Sequence, residues 1–103
     1  MSVDRSSWRT EGLDELCDAF LAMRDRAEVA AFLRDLCTLS EIQAMTHRLQ
    51  AARLLAEHVP YASVAEQVGT STTTVTRVAQ WLHRGEGGYQ LALERTARRD
   101  PGA

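Results

Sequence analysis

The chain has 103 residues, 45% hydrophobic and 25% charged, with 14 acidic side chains, 12 basic ones and a formal net charge of −2. That length holds one domain, the apolar fraction is too high for a disordered chain, and no apolar run approaches the roughly 18 residues that span a bilayer. The N-terminal stretch MSVDRSSWRT lacks the apolar core of a secretory signal, so a soluble, cytoplasmic protein without a membrane partner is expected.

The predicted organisation is a polar arm over residues 1–9, one all-α domain over 10–97 and a tail over 98–103. From Leu13 the apolar positions Leu13, Leu16, Cys17, Phe20 and Leu21 fall at offsets of three and four and mark one face of a first helix. Trp8, in the arm, is expected to bury against a partner chain. Asp25 and Glu28 then have the spacing of a capping box ahead of a second stripe, Val29, Phe32, Leu33 and Leu36. Thr38 and Glu41 repeat that signature, with Ser40 as an alternative cap. A longer helix follows to about Glu57. It directs Ile42, Met45, Leu49, Ala52 and Leu55 inward, and Ala44, Ala51 and Ala52 are small enough for another backbone to approach. His58 closes it, and Val59-Pro60 ends one helix and opens the next.

No strand pattern occurs. The run Thr72 to Thr76 is β-branched and favours strand on propensity. Its apolar spacing through Val75, Val78, Ala79 and Leu82 is helical, and Ser71 is a natural N-cap. Gly85-Glu86-Gly87-Gly88 breaks the chain before a last helix from Tyr89 to about Ala97. About six helices are predicted.

Residues 61–82 have the features of a helix-turn-helix. Gly69 supplies the left-handed conformation of the turn, Ala65 is small where the helices cross, and Val64, Val68, Val75 and Val78 join them. The outward positions of the second helix are polar and rich in hydroxyls. Thr70, Ser71, Thr72, Thr73, Thr76, Arg77 and Gln80 are the candidate DNA-binding residues. Hydroxyls at a helix N-terminus reach phosphates and base edges, a threonine methyl can touch that of thymine, and glutamine pairs with adenine. Thr74 and Thr76 lie about 200° apart around a helix and cannot share one groove. A threonine-rich outer face is costly in helix propensity, which favours a functional purpose over simple packing. Arg77 can turn either to phosphate or into a pocket.

Charge distribution permits a nucleic-acid partner. Residues 1–42 carry five Arg and nine acids, whereas residues 43–103 carry seven Arg and five acids, and lysine is absent. Cys17 and Cys37 occupy apolar helical positions and are expected to be buried free thiols. His47, His58 and His83 lack metal-ligand spacing, the acids Asp14, Glu15 and Asp18 have no nucleophile beside them, and the glycine-rich break has no P-loop lysine. No cofactor, metal or enzymatic activity is indicated.

The blocks LRDLCTLSEIQAMTHRLQAARLL, YASVAEQVGTSTTTVTRV and GEGGYQLAL, in that order, resemble the tryptophan-repressor-like family, and within it the YerC/YecD branch. The resemblance covers roughly Leu33 to Leu93. It implies an all-helical, intertwined homodimer that represses transcription by presenting one helix-turn-helix per chain to double-stranded DNA. In the tryptophan repressor two arginines hold the corepressor, and Arg48 and Arg77 match them. A glycine and a serine of that repressor are Val78 and Trp81 here. Both are larger, and they imply a pocket filled by protein and a regulator that does not respond to tryptophan. Another effector stays open. A thin core for a single chain independently favours pairing of two copies, with recognition helices about 34–36 Å apart. The alternative is a helix-turn-helix that binds protein rather than DNA.

Overall fold

The structure, a computed structural model, describes residues 8–97. Residues 1–7 of the expected arm and all of the expected tail, 98–103, lie outside the described residues. Six helices follow in order: α1 (Glu11–Ala22), α2 (Arg26–Leu36), α3 (Leu39–Ala56), α4 (Tyr61–Val68), α5 (Thr72–Arg84) and α6 (Gly88–Ala97). No strand occurs among the described residues. The chain divides into two compact units, Met1–Leu39 and Ser40–Ala103.

In the first unit both helices start at side-chain caps. The Thr10 hydroxyl accepts the Leu13 amide at 3.0 Å, and the Asp25 carboxylate accepts the Glu28 amide at 2.9 Å. Each satisfies an amide that the helix cannot pair internally. The capping box at Asp25 closes one residue early, because Glu28 Oε1 accepts from the amide of Arg24, at 2.8 Å, rather than from that of Asp25. The rings of Phe20 and Phe32 meet edge to face with centroids 5.0 Å apart, a favourable aromatic geometry. Neither helix holds a buried residue. Cys17 is exposed and Cys37 half-buried, so the expected burial of both thiols does not occur within one chain. Trp8 is exposed as well, with the Arg9 guanidinium 5.8 Å from its ring centroid. Two short helices have too little apolar surface to enclose these side chains themselves.

The second unit contains the core. Ala51, Ala52 and Leu55 of α3, Val64 and Ala65 of α4, and Val75, Val78, Ala79 and Leu82 of α5 form one buried cluster. Tyr89 and Leu93 of α6 pack against it. The inward stripe expected along the whole of α3 is buried only near its C-terminal end. Ile42 and Met45 are half-buried and Leu49 is exposed, because the buried cluster reaches only the last two turns of α3.

Each of the three turns of this unit has a residue in the left-handed region: His58, Gly69 and Gly87. After α3 the His58 amide donates to the Leu55 carbonyl and the Val59 amide to that of Leu54, at 2.9 and 3.1 Å. This is a Schellman closure, with His58 at φ 66°. After α4 the amides of Gly69 and Thr70 both reach the Ala65 carbonyl, at 2.9 and 3.0 Å, and Gly69 adopts φ 84°, ψ 39°. A Cβ at Gly69 would have no neighbour within 4 Å, so conformation rather than space selects glycine there.

Replacing Gly69 by alanine should therefore lower stability by about 1–2 kcal/mol, the cost of holding an L-residue left-handed. Gly69→Asn should cost less, since asparagine tolerates that region. Urea unfolding of the three proteins measures the difference, and equal stabilities would contradict the assignment.

Candidate nucleic-acid interface

The position of α5 is set by its apolar side. Val75, Val78, Ala79 and Leu82 recur at offsets of three and four and are all buried. The opposite side must then face outward, and Thr72, Thr73, Thr76, Arg77 and Gln80 are all exposed. Ser71, also exposed, caps the helix. Its Oγ accepts the Thr74 amide and donates to Thr74 Oγ1, both at 3.1 Å. The amides of Thr72 and Thr73 precede the capped one and have no partner in the helical ladder. At the positive pole of the helix such amides suit phosphate oxygens.

The candidate residues divide by how they are held. Thr70 is half-buried, and its amide closes the turn onto Ala65, so it belongs to the turn. Thr74 is half-buried on the side away from Thr76, as the helical angle between them requires. Thr72 and Thr73 have hydroxyls without a protein partner among the described residues. The Thr76 hydroxyl instead donates to the Thr72 carbonyl at 2.9 Å.

Beside this face lies a hollow of about 400 Å³ lined by Arg48, Thr74, Arg77, Val78, Trp81 and Tyr89. The four residues singled out from the sequence, Arg48, Arg77, Val78 and Trp81, are thus brought together, and Thr74 and Tyr89 join them. Neither guanidinium has an ion-pair partner among the described residues. The expected filling of this space by Val78 and Trp81 does not occur. Val78 is buried in the core cluster, and Trp81 is 60% exposed. Its indole lies over Gly85, where a Cβ would come within 2.9 Å of Trp81 Cε3. The Trp81 carbonyl oxygen is nearer still, so the close approach of the backbone to the last turn of α5 is what requires glycine there. Sequence reasoning missed Tyr89 as part of this site. Its signal was the Gly-Gly-Tyr block, whose tyrosine packs on the core and reaches the hollow.

A second hollow, of about 480 Å³, brings His58 and His83 to one site with Leu55, Tyr61, Leu82 and Gln90. No group of three or more His, Cys, Asp or Glu placed to hold a metal occurs among the described residues. Gln90 Nε2 donates to the Leu82 carbonyl at 2.9 Å, which pairs one of the last carbonyls of α5. Among the described residues no helix is long and apolar enough to cross a membrane.

The sequence profile of the Trp repressor protein family matches residues 11–97. The uncharacterised protein YerC of Bacillus subtilis is 38% identical over 95 residues, which are 92% of this chain and 89% of YerC. A crystal structure of a candidate Trp repressor from Staphylococcus aureus superimposes with a TM-score of 0.84 at 37% identity, over 94% of this chain and 95% of that one. A TrpR-like protein from Eubacterium eligens gives a TM-score of 0.84 at 35% identity, over 89% of this chain and 95% of its own.

Because Arg48 and Arg77 are exposed and unpaired, replacing either by alanine should change folding stability by no more than about 0.5 kcal/mol. Thermal and urea unfolding of the two variants measures this. A larger loss would mean that these arginines hold the fold together rather than face a ligand.

Proposed function

The chain belongs to the Trp repressor family, and from that membership we propose that it is a helix-turn-helix transcription regulator, a cytoplasmic repressor that binds an inverted-repeat operator as a homodimer. The observation that carries the proposal is the exposed row Thr72, Thr73, Thr76, Arg77 and Gln80 on a helix whose other side is buried. Open amides at the start of α5 anchor the helix on a phosphate, Arg77 adds a second phosphate contact, and the threonine and glutamine side chains meet base edges in the major groove.

Pairing of two copies is supported by the state of α1 and α2. Leu21 of α1 and Leu36 of α2 are 82% and 50% exposed, Leu39 at the start of α3 is 64% exposed, and neither α1 nor α2 holds a buried residue. Apolar surface of this kind needs a covering partner, and a second copy of the same helices is self-complementary about a two-fold axis. Each chain's residues 10–97 then act as one domain, completed by the partner. Two reading heads related by the axis face successive major grooves, about 34–36 Å apart. In this assembly DNA binding does not depend on free tryptophan: the Trp81 indole stands on the wall of the hollow between the two arginines and changes its shape without filling it. The two unpaired arginines at the hollow suit an anionic effector of another kind.

Selection from a random DNA pool should recover an inverted repeat, with affinity falling at a log–log salt slope near −0.9 per neutralised phosphate. Arg77→Ala should weaken binding across all sequences and reduce that slope by about one, and Thr73→Ala should alter base preference. A protein with no salt-dependent DNA affinity, unchanged by either variant, would instead be a protein-binding helix-turn-helix, a class that the acidic first 42 residues also suit.

Sedimentation should show a dimer, and Leu21→Glu should yield single chains, since Leu21 is 82% exposed and has little burial to lose within one chain. A wild-type protein that sediments as a stable monomer would exclude the dimer. Calorimetric titration with L-tryptophan should show no binding at micromolar concentration. A micromolar Kd would exclude tryptophan independence while leaving DNA binding intact.

A further inference from the structure

The hydroxyl groups along α5 are not chemically equivalent. A threonine hydroxyl has one proton to donate, and Thr76 donates it to the Thr72 carbonyl one turn earlier, at 2.9 Å, a common back-bond for threonine inside a helix. Ser71 is similarly committed, to the Thr74 amide and hydroxyl. Thr72 and Thr73 keep their protons, having no partner among the described residues.

Thr76 is nevertheless exposed, and it sits midway along the row Thr72, Thr76, Gln80, whose members are four residues apart on one face. Most of the hydrogen-bonding positions in the major groove are acceptors: N7 and O6 of guanine, N7 of adenine and O4 of thymine. A side chain that has already used its proton cannot pair with any of these. Its oxygen can still accept, but only from the two amino groups of the groove, N6 of adenine and N4 of cytosine; its outermost apolar group, the Cγ2 methyl, matches the apolar feature of the major groove, the C5 methyl of thymine.

We infer that Thr76 reads a thymine C5 methyl through its own methyl group, while Thr72 and Thr73 supply the hydroxyl donors. This rests on the DNA-binding function proposed above and adds to it the group that is recognised. It also means that 5-methylcytosine, which carries the same methyl, substitutes for thymine at that contact better than unmodified cytosine does. The contact is a methyl sensor regardless of which pyrimidine carries the methyl.

The test uses the operator recovered from the random pool, with each thymine replaced in turn by uracil, which lacks only the C5 methyl. For the wild-type protein one thymine per half-site should show about a fourfold loss of affinity, the worth of roughly one buried methyl. Thr76→Val keeps the methyl and removes the hydroxyl, so it should retain that loss. Thr76→Ser keeps the hydroxyl and removes the methyl, so it should be indifferent to uracil at the same position. Circular dichroism confirms that both variants are folded. A wild-type protein that binds its operator yet ignores every uracil overturns the methyl contact alone. So does a Thr76→Ser protein with the uracil loss intact, or a Thr76→Val protein that loses operator affinity as a missing hydroxyl would predict. A pool that yields no bound sequence overturns DNA binding itself, and the methyl contact with it.

Discussion

The buried side of α5 is the constraint on which the rest of the second unit depends. Val75, Val78, Ala79 and Leu82 are apolar groups on one stripe, and each gains only when it leaves water. They do so against Ala51, Ala52 and Leu55 of α3 and against Val64 and Ala65 of α4. Once that stripe is seated, the rotation of α5 about its own axis has no freedom left. Thr72, Thr73, Thr76, Arg77 and Gln80 must face outward because 3.6 residues make a turn. Gly69 sets the angle at which α4 delivers the chain into this packing, and Ser71 starts the helix at the residue that gives the threonine row its phase. The exposed face is thus a by-product of core formation.

The same packing creates the hollow beside the interface. Tyr89 and Leu93 bring α6 against the cluster, and the Gln90 side chain ties it to the Leu82 carbonyl. Arg48 from α3, Arg77 from α5 and Tyr89 from α6 then converge at one site. Because Arg77 both lines this hollow and sits on the exposed row, anything bound between the arginines changes the charge presented to a phosphate.

The first unit obeys a different balance. Its helices are well capped, with Thr10 and Asp25 pairing amides that would otherwise be left open, yet its apolar groups are covered only in part. Local hydrogen bonding determines that α1 and α2 form. It supplies little of the burial that stabilises a fold, because two short helices enclose almost no volume. The edge-to-face contact between Phe20 and Phe32 is the aromatic pair that joins α1 to α2.

The local features were legible in the chain because they depend on near neighbours. Six helices, the caps at Asp25 and Ser71, the glycine turn and the outward threonines all follow from periodicity and from which residues can adopt which backbone angles. The gathering of Arg48, Arg77, Val78 and Trp81 was legible only through a family pattern, since Arg48 and Trp81 are far apart in sequence. Three-dimensional packing decided the rest. It confined burial in α3 to Ala51, Ala52 and Leu55, left Cys17 exposed, placed Trp81 on the wall of the hollow rather than inside it, and added Tyr89 to that wall. Spacing along a chain records which side of a helix is apolar. Whether that side is covered, and by what, depends on groups that folding brings from elsewhere.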